Sequence, residues 1–454
     1  MRSATSELST GRRHIHTGII GVLMTWRTRS IPAMAVLVAL ALALAGCVAS
    51  PDAWNGPRFV TGPLVSLTTV LWPPPLSLVG LEPGSRVVVH SEVAAEHDRW
   101  TSQATYTVPV SGSIDLNVAR PQLAPFATAD SAGLVWSLTG PQLAPDVAAR
   151  LWTASVVSVH LAAYADGRAL ASTVLDLKGL ATIVTPSVVL ASQLMPAGAD
   201  DVFSGPDSAT GLYYGATVPK KRRSPAVIVF DDGAVGASEA YIAPLLSLFG
   251  AGVFVIPVSA AADGIHVASS SDATALSNVL DWLAARPDVD PGRIFVYGSS
   301  QSEQLALWAA AHFSRRIFGA FAAGGTTALL CGPPDGTAVV SDSTDQVRCV
   351  ARSDVVDPFG VPDLRSLAGP VVLACARSDP VLPSACGWQD AVTRARGTHA
   401  GDVTIHAEGA GHQITVPPGL PLALPAPPEA QSTEQARVAF WNAVVHTLLR
   451  TARS

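Results

Sequence analysis

The sequence predicts an α/β protein with a mainly parallel sheet, preceded by a small β-sandwich domain. Three features of the sequence lead to this prediction. Short apolar runs separated by turn residues fill residues 76–177, and from about residue 209 onward strand-length apolar runs alternate with helix-prone stretches. Such alternation is typical of a parallel sheet with crossover helices on both faces. The third feature is residues 293–313, where a buried strand, a sharp turn and a helix follow one another.

Composition sets the scale of the protein and excludes one class of partner. The chain of 454 residues has room for several domains, and 48% hydrophobic against 14% charged residues can fill large cores. The net charge is −6, and the basic cluster at 220–223 is short and lies between apolar runs. We therefore predict a solvated loop at that cluster and no nucleic-acid partner.

Residues 1–46 are predicted to be the signal peptide of a bacterial lipoprotein. Basic residues precede the run 31–45, which is apolar apart from its proline and has the length of a signal-peptide core rather than of a membrane span. The run ends in Leu-Ala-Gly-Cys at 44–47, which resembles a lipobox, where cleavage before the cysteine is coupled to lipidation of its sulfur. A lipid on Cys47 would anchor the protein to the outer face of the cytoplasmic membrane.

Two alternatives at the N-terminus stay open. An ordinary secretory signal with an incidental cysteine would release the protein instead of anchoring it. Residues 1–23 are polar and basic and sit oddly ahead of a signal, so Met24 is a candidate for the true start. Residues 47–75 contain many prolines and are predicted to be an extended tether.

Residues 76–180 are predicted to form the β domain. Turn signals such as Pro-Gly at 83–84 and Asp-Gly at 166–167 separate short runs with strand patterning. About seven short strands at such spacing are typical of a small β-sandwich. The predicted strands are 76–81, 86–93, 102–108, 113–118, 133–138, 155–164 and 169–177.

Residues 181–454 are predicted to form the α/β domain, whose chemistry is expected at the carboxyl ends of its strands. The predicted strands are 211–217, 225–230, 252–257, 293–297, 317–322, 370–375 and 402–407. The predicted helices are 237–249, 272–285, 303–313, 387–396 and 431–451.

The stretch 293–313 predicts a nucleophile at Ser300. The apolar run Ile294 to Tyr297 breaks at Gly-Ser-Ser-Gln-Ser, and a helix follows at once. Strand, sharp turn and helix with a serine at the turn form the nucleophile elbow of the α/β-hydrolase fold, which we therefore predict for residues 181–454. Gly298 meets the need for small neighbours. Ser302 stands where the usual motif has a second glycine, and we expect the helix to approach the strand less tightly there.

A serine nucleophile needs a base and an acid, which follow it in this fold in the order Ser, Asp or Glu, His. The best acid is Asp379, because a buried strand runs straight into it, and the best base is His412, in a Gly-rich loop just past the last strand. Rival residues have less suitable places, on helices, within strands or before them. The rivals are Asp390, Asp402, His399, His406 and His446.

The oxyanion of acyl transfer needs backbone N–H donors near the nucleophile. We predict one from Gln301 and one from the turn 231–236, at Gly233 or Ala234, where glycine lets the backbone approach the substrate. Asp231 and Asp232 are interpreted as turn formers.

Four cysteines remain after Cys47, and export would permit disulfides. Four cysteines allow three pairings, of which sequence neighbours give Cys331–Cys349 and Cys375–Cys386. Buried free thiols are the alternative. The spacing of cysteines and histidines suggests no metal, and no cofactor is predicted.

Over roughly 76–450 the sequence resembles the family of acyl-CoA thioesterases and bile acid-CoA:amino acid N-acyltransferases. Gly-Leu-Glu-Pro-Gly at 80–84 and Ala-Gly-Leu-Val-Trp-Ser-Leu at 132–138 are similar to the immunoglobulin-like domain of that family. Residues 298–307 resemble its elbow, and Gly-Ala-Gly-His-Gln-Ile at 409–414, followed by two prolines, resembles its histidine loop. The resemblance implies an immunoglobulin-like β-sandwich domain and places the family nucleophile, acid and base on Ser300, Asp379 and His412.

The resemblance implies an acyl ester or thioester as substrate, with departures that matter. Ser302 replaces a glycine, and the turn 231–236 carries two aspartates where the family is more apolar. The family acts on acyl-CoA inside cells, whereas an exported lipoprotein would not meet it. The expectation is an exported serine acyl hydrolase or acyltransferase of unspecified oligomeric state. The alternative is a catalytically silent envelope lipoprotein that binds a lipid or a protein partner.

Overall fold

The computed structural model places Gly56–Ser454 in one compact unit. The predicted signal peptide, Cys47, and the predicted oxyanion donors Gly233 and Ala234 lie outside the residues that the structure describes. The described residues are 56–62, 69, 71–95, 97–130, 132–141, 143, 145–180, 184–194, 209–217, 223–231, 239–258, 273–332, 337–338, 340, 342, 346–421 and 430–453.

The N-terminal part of the unit is a β domain of two antiparallel sheets. A four-stranded sheet has the order β4-β3-β6-β7 and a three-stranded sheet the order β1-β2-β5. Alternate residues of β3 are buried, as expected for a sheet with one face on a core, and apolar side chains from both sheets share that core. The strands are β1 (Arg58–Thr61), β2 (Leu76–Val79), β3 (Arg86–Ala95), β4 (Asp98–Thr107), β5 (Ser113–Asp115), β6 (Val156–Ala165) and β7 (Arg168–Lys178).

Three predictions for this part are corrected. The predicted strand 133–138 is wrong, because the structure has the short helix α1 (Gly133–Trp136) there. Its residues are all buried, which explains the strand-like apolar run, and Asp130 fixes the helical turn by accepting from the Ala132 N–H at 2.8 Å and Trp136 Nε1 at 2.6 Å. The helix α2 (Pro145–Thr153) was not predicted.

The third correction concerns the predicted tether 47–75. β1 lies inside it and pairs with β2, so the tether prediction is wrong for Arg58–Thr61. The four residues of β1 are half-buried or exposed and are too few to show an alternating pattern, so the strand is defined by its pairing with β2.

The remaining strands include one eight-stranded sheet with the order β8-β9-β11-β10-β12-β13-β16-β17. Its neighbours pair in parallel except β9, which is antiparallel to both β8 and β11. This arrangement is the α/β-hydrolase fold. The strands are β8 (Ser187–Leu190), β9 (Ala209–Tyr214), β10 (Ser224–Asp231), β11 (Gly252–Pro257), β12 (Val289–Ser299), β13 (Gly319–Ala323), β16 (Val371–Ala376) and β17 (Val403–Ala407). A two-stranded hairpin of β14 (Cys331–Gly332) and β15 (Thr337–Ala338) lies outside this sheet.

Helices cover both faces of the eight-stranded sheet. Alternate residues of β10 belong to two different buried clusters, one on each face of the sheet. Val227 and Val229 pack in the cluster that contains α4 and α8, whereas Ile228 packs in the cluster that contains α5 and α6. The β domain shares the core on the α4 and α8 face. The helices are α3 (Ala191–Leu194), α4 (Glu239–Leu248), α5 (Ala273–Ala285), α6 (Glu303–His312), α7 (Ala385–Arg396) and α8 (Ala430–Arg453). No helix within the described ranges is long and apolar enough to cross a membrane.

Candidate active site

Ser300 lies in a strained turn between β12 and α6. Its φ is +54°, a left-handed conformation that costs an L-residue with a side chain about 1–2 kcal/mol. Ser299 ends β12 in extended backbone, and a 3-10 turn over Ser300–Ser302 leads into α6. The turn therefore raises the Ser300 hydroxyl at the carboxyl end of β12, as a nucleophile elbow requires.

The small neighbours of Ser300 explain how helix and strand come together. A Cβ on Gly298 would lie 2.3 Å from the Ser302 carbonyl oxygen and 2.8 Å from Ala306 Cβ, so only glycine fits. The Ser302 hydroxyl is buried, donates to the Ser299 carbonyl at 2.8 Å and accepts from the Ser299 N–H at 3.0 Å. This serine closes the turn by hydrogen bonds, and the looser approach of the helix expected from it stays a prediction.

Ser300, His412 and Asp379 form one hydrogen-bonded series. Ser300 Oγ lies 2.9 Å from His412 Nε2, and His412 Nδ1 lies 2.7 Å from Asp379 Oδ2. Because the carboxylate can only accept, Nδ1 carries the proton and Nε2 is left to accept from the serine hydroxyl. This tautomer is the one that a general base beside a serine needs.

Asp379 is fixed by its own loop. It follows β16 by three residues, and its side chain is fully buried. Oδ1 accepts from the Val381 N–H at 2.8 Å and the Leu382 N–H at 3.1 Å, which leaves Oδ2 facing the histidine. Both carboxylate oxygens are therefore held, and the side chain presents one defined face to His412.

The cysteines form the two pairs predicted from sequence proximity. Cys331 pairs with Cys349 and Cys375 with Cys386, with Cα–Cα distances of 5.1 and 5.2 Å. Cys375 lies in β16 and Cys386 in α7, so the second disulfide closes the loop that carries Asp379.

Removing the second disulfide is expected to lower both stability and turnover. In the chain-entropy model a loop of this size stabilises the fold by roughly 3 kcal/mol, and its loss would also loosen the Asp379 loop. The Cys375→Ala/Cys386→Ala protein should therefore unfold at lower temperature and turn over substrate more slowly in assays well below that temperature. The matched control is Cys331→Ala/Cys349→Ala, which should lose stability with a smaller loss of turnover. Equal turnover losses in the two proteins would contradict a specific role for the Cys375–Cys386 bond.

The rival acids and bases are engaged elsewhere. Asp402 lies 2.7 Å from Arg396 Nε, and Asp390 lies 3.0 Å from His406 Nε2. His399 lies 3.5 Å from Asp402, and His446 is exposed on α8. The structure thus brings only His412 and Asp379, of these candidates, to Ser300.

Of the predicted oxyanion donors, the structure describes Gln301. Gln301 follows Ser300 in the 3-10 turn at the start of α6, where helix N–H groups favour negative charge. β10 ends at Asp231, and its register pairs Val229 with Tyr297 of β12, so the end of β10 lies beside the strand that leads to Ser300. Within the described residues, no cluster of three or more His, Cys, Asp or Glu side chains could hold a metal ion.

Glu303 is a buried acid beneath the elbow that sequence reasoning missed. It is 0% exposed, and its Oε2 accepts from the Gly325 N–H at 2.6 Å. Gln389 Nε2 donates to Glu303 Oε1 at 3.2 Å and to the Ala374 carbonyl at 2.8 Å, which links α6, α7 and β16. Burial raises the pKa of Glu303 to about 8, and the hydrogen bonds act against that rise. A lone acid in the apolar sequence that follows Ser300 was the available signal.

Glu303→Gln is expected to flatten the dependence of folding stability on pH. The pKa of Glu303 is higher in the folded protein than its ordinary value of 4.5, so the folded state binds the proton more tightly. The resulting stability is complete below about pH 4.5 and is lost as the pH rises to about 8. Denaturant unfolding of both proteins across that range should show a shallower decline for the variant, and Glu82→Gln, at an exposed site, is the control. Parallel curves for Glu303→Gln and the unaltered protein would contradict this account.

Comparison with known proteins adds a family match in the β domain. Residues 73–185 match the family model described as "Acyl-CoA thioester hydrolase/BAAT N-terminal region". The resemblance to that family is thereby confirmed for this part of the chain. No curated protein matches the chain.

Solved structures similar to this chain include esterases and a peptidase. A carboxyl esterase from the fungus Tuber melanosporum has 12% identity over 59% of this chain and 88% of its own, with a TM-score of 0.38. A thermostable esterase from Pseudomonas putida has 12% identity over 59% of this chain and 83% of its own, with a TM-score of 0.39. An acylaminoacyl peptidase from Pyrococcus horikoshii has 10% identity over 86% of this chain and 71% of its own, with a TM-score of 0.38.

Proposed function

We propose that this protein is an exported serine acyl hydrolase that cleaves an ester or thioester through an acyl-Ser300 intermediate. The observation that supports it is the hydrogen-bonded series of Ser300, His412 and Asp379, with Ser300 on a strained turn at the end of β12. Serine, base and acid in this order and geometry are the arrangement of serine acyl transfer.

The first half of the reaction transfers the acyl group to the serine. Ser300 Oγ attacks the carbonyl carbon while His412 Nε2 takes the hydroxyl proton, and Asp379 stabilises the imidazolium that forms. The oxyanion of the tetrahedral intermediate accepts hydrogen bonds from the Gln301 N–H and from an N–H of the turn after β10. Collapse of the intermediate breaks the ester or thioester bond, and the imidazolium returns its proton to the leaving group.

The second half releases the acyl group. Water lies where the leaving group was, His412 takes a proton from it, and the hydroxide attacks the acyl-Ser300 carbonyl. Collapse expels Ser300 Oγ, which regains the proton from His412. An amine in place of water would make the same protein an acyltransferase.

The substrate class rests on two further considerations. The family match over 73–185 favours an acyl thioester or a related ester. Export by the predicted signal peptide would bring the protein to a compartment without acyl-CoA, and this favours an acyl ester of the envelope or the medium. The two disulfides are compatible with such an oxidising location.

A substrate panel tests the proposed activity. The purified protein is incubated with p-nitrophenyl esters and with acyl thioesters of increasing chain length, with and without an added amine, and Ser300→Ala is the control. We expect turnover of at least one series, a rapid initial release of one leaving group per protein, and an acyl mass on Ser300. Equal rates for the protein and Ser300→Ala, or no turnover of any member, would contradict the proposal.

Export has a separate test. We propose that the mature protein starts at a lipidated Cys47, because a charged region, an apolar run and small residues precede it in the order of a lipoprotein signal. Mass spectrometry of the protein from its native host should find an acylated N-terminal Cys47. Retention of residues 1–46, or an unmodified Cys47, would contradict lipid anchoring without affecting the proposed chemistry.

A further inference from the structure

The loop that carries His412 has few backbone hydrogen bonds of its own. We use the name His412 loop for residues 408–421, which follow β17 and contain no helix or strand. Its internal backbone bonds are from the Ile414 N–H to the His412 carbonyl at 2.9 Å and from the Leu420 N–H to the Pro417 carbonyl at 3.4 Å. Because buried backbone groups need partners, the position of such a loop is decided by what else binds it.

One face of α8 supplies those partners. The Gly411 N–H donates to Thr433 Oγ1 at 2.9 Å. Arg437 Nε donates to the Gln413 carbonyl at 2.9 Å, and Trp441 Nε1 donates to the Thr415 carbonyl at 3.0 Å. The three side chains are spaced by four residues and therefore lie in one row along the helix.

The same helix holds the far end of the His412 loop. Arg437 uses a second nitrogen to donate to the Leu420 carbonyl at 3.0 Å, and Glu434 accepts from the Gly419 N–H at 2.8 Å. The loop is thus bound along its length, and one backbone group of each residue that flanks His412, the Gly411 N–H and the Gln413 carbonyl, is held by α8.

This set of contacts is almost fully buried and includes an ion pair. Arg437 is 0% exposed and Glu434 is 7% exposed, with 3.5 Å between their nearest charged atoms. Burial lowers the pKa of Arg437, and it raises the pKa of Glu434 to about 7. Burying such a pair contributes little or nothing to stability compared with apolar side chains of the same size. The contribution of Arg437 is therefore to fix the position of the loop, because no apolar side chain could donate hydrogen bonds to the carbonyls of Gln413 and Leu420.

α8 also packs on the strand that carries the nucleophile. Trp441 stacks on Tyr297 with ring centroids 6.2 Å apart, and Phe440 meets the same ring at 6.1 Å. Tyr297 is fully buried in β12, three residues before Ser300. One helix is therefore in contact with both the His412 loop and the strand that leads to Ser300.

We propose that α8 sets the position of His412 relative to Ser300, and that Thr433, Arg437 and Trp441 are positioning residues for the acyl transfer. This inference rests on the proposed function, since it concerns the base of that reaction. The distances on both sides of the imidazole, 2.9 Å to Ser300 Oγ and 2.7 Å to Asp379 Oδ2, leave little room for displacement. A misplacement of about 1 Å in an active site can cost about 100-fold in rate.

Thr433→Val tests this role with little change in shape. Valine keeps the volume and removes the acceptor of the Gly411 N–H, whereas Thr433→Ser keeps the hydroxyl. We expect Thr433→Val to lower kcat for an ester substrate about 10- to 100-fold with KM nearly unchanged, and Thr433→Ser to recover most of the rate. The matched control is Thr447→Val, the same substitution at a buried threonine further along α8.

A second readout does not depend on turnover. In protein with ¹⁵N-labelled histidine, the proton between His412 Nδ1 and Asp379 should give a low-field resonance. This resonance should shift or broaden in Thr433→Val and stay in place in Thr433→Ser and Thr447→Val. Trp441→Phe keeps an aromatic ring on Tyr297 and removes the donor to the Thr415 carbonyl. It should show the same loss of kcat and the same change in the resonance as Thr433→Val, and it replaces that variant in the test if Thr433→Val does not fold.

The outcomes separate this inference from the proposed function. If the unaltered protein turns over no acyl substrate but the resonance responds as expected, the proposed function fails and the placement of His412 by α8 stands. If the protein is active, and Thr433→Val and Trp441→Phe match Thr447→Val in kcat and in the resonance, the inference is wrong and the proposed function stands.

Discussion

Ser300→Ala and His412→Ala are each expected to lower turnover about 10⁴–10⁶-fold, and the double variant should lose little more. The reason is that the two side chains act in one step. Without the base, the serine hydroxyl keeps its proton, and without the serine, the base has no proton to take. The 2.9 Å contact between Ser300 Oγ and His412 Nε2 is the structural basis for treating them as a unit.

The measurement is steady-state turnover of the best substrate by the two single variants and the double variant. Circular dichroism and thermal unfolding confirm that each variant is folded. His446→Ala is the control, because His446 is exposed on α8. Losses that multiply in the double variant would mean that Ser300 and His412 do not act together.

Asp379→Asn is expected to lower turnover about 10⁴-fold while leaving the fold intact. The Val381 and Leu382 N–H groups bind Oδ1, so the amide oxygen of asparagine would stay with them and the NH₂ group would face His412. An NH₂ group cannot accept from Nδ1, so the imidazole would carry its proton on Nε2. In that tautomer Nε2 donates to the Ser300 hydroxyl and cannot take its proton.

The control for this prediction is Asp390→Asn, the same change at a half-buried rival on α7. It should leave turnover close to that of the unaltered protein. A crystal structure of Asp379→Asn with the asparagine in the place of Asp379 would show that the loss does not come from a displaced side chain. Turnover within about tenfold of normal in Asp379→Asn would contradict an orienting role for this acid.

The parts of the fold that could be predicted are those with a strong local pattern. β11 matches the predicted strand 252–257 in full, and α5 and α6 differ from their predictions by one residue at an end. The sequence of α1 predicts a strand because it is a short apolar run between turn signals, and the contacts of Asp130 decide for a helix. β8, whose register depends on pairing with β9, carries too little alternation to be predicted alone.

The candidate site divides in the same way. Ser300, Asp379 and His412 could be found because each follows a strand and their order in the chain is characteristic of the fold. The residues that hold them could not, since Glu303, Gln389 and Arg437 act through contacts between elements distant in the sequence. In the sequence each of them is a polar residue in a predicted helix and nothing more. A polar residue on a helix is more often exposed, and sequence alone does not tell the two apart.

Covalent labelling of Ser300 by a fluorophosphonate tests the central claim most directly. The probe phosphonylates only a serine whose hydroxyl is activated by a neighbouring base, and it needs no knowledge of the natural substrate. We expect one probe molecule per folded protein, mapped by mass spectrometry to Ser300, and no label on Ser300→Ala, on His412→Ala or on denatured protein. A folded protein that stays unlabelled, or that is labelled elsewhere, would contradict the hydrolase account and favour a catalytically silent lipoprotein that binds a lipid or a protein partner.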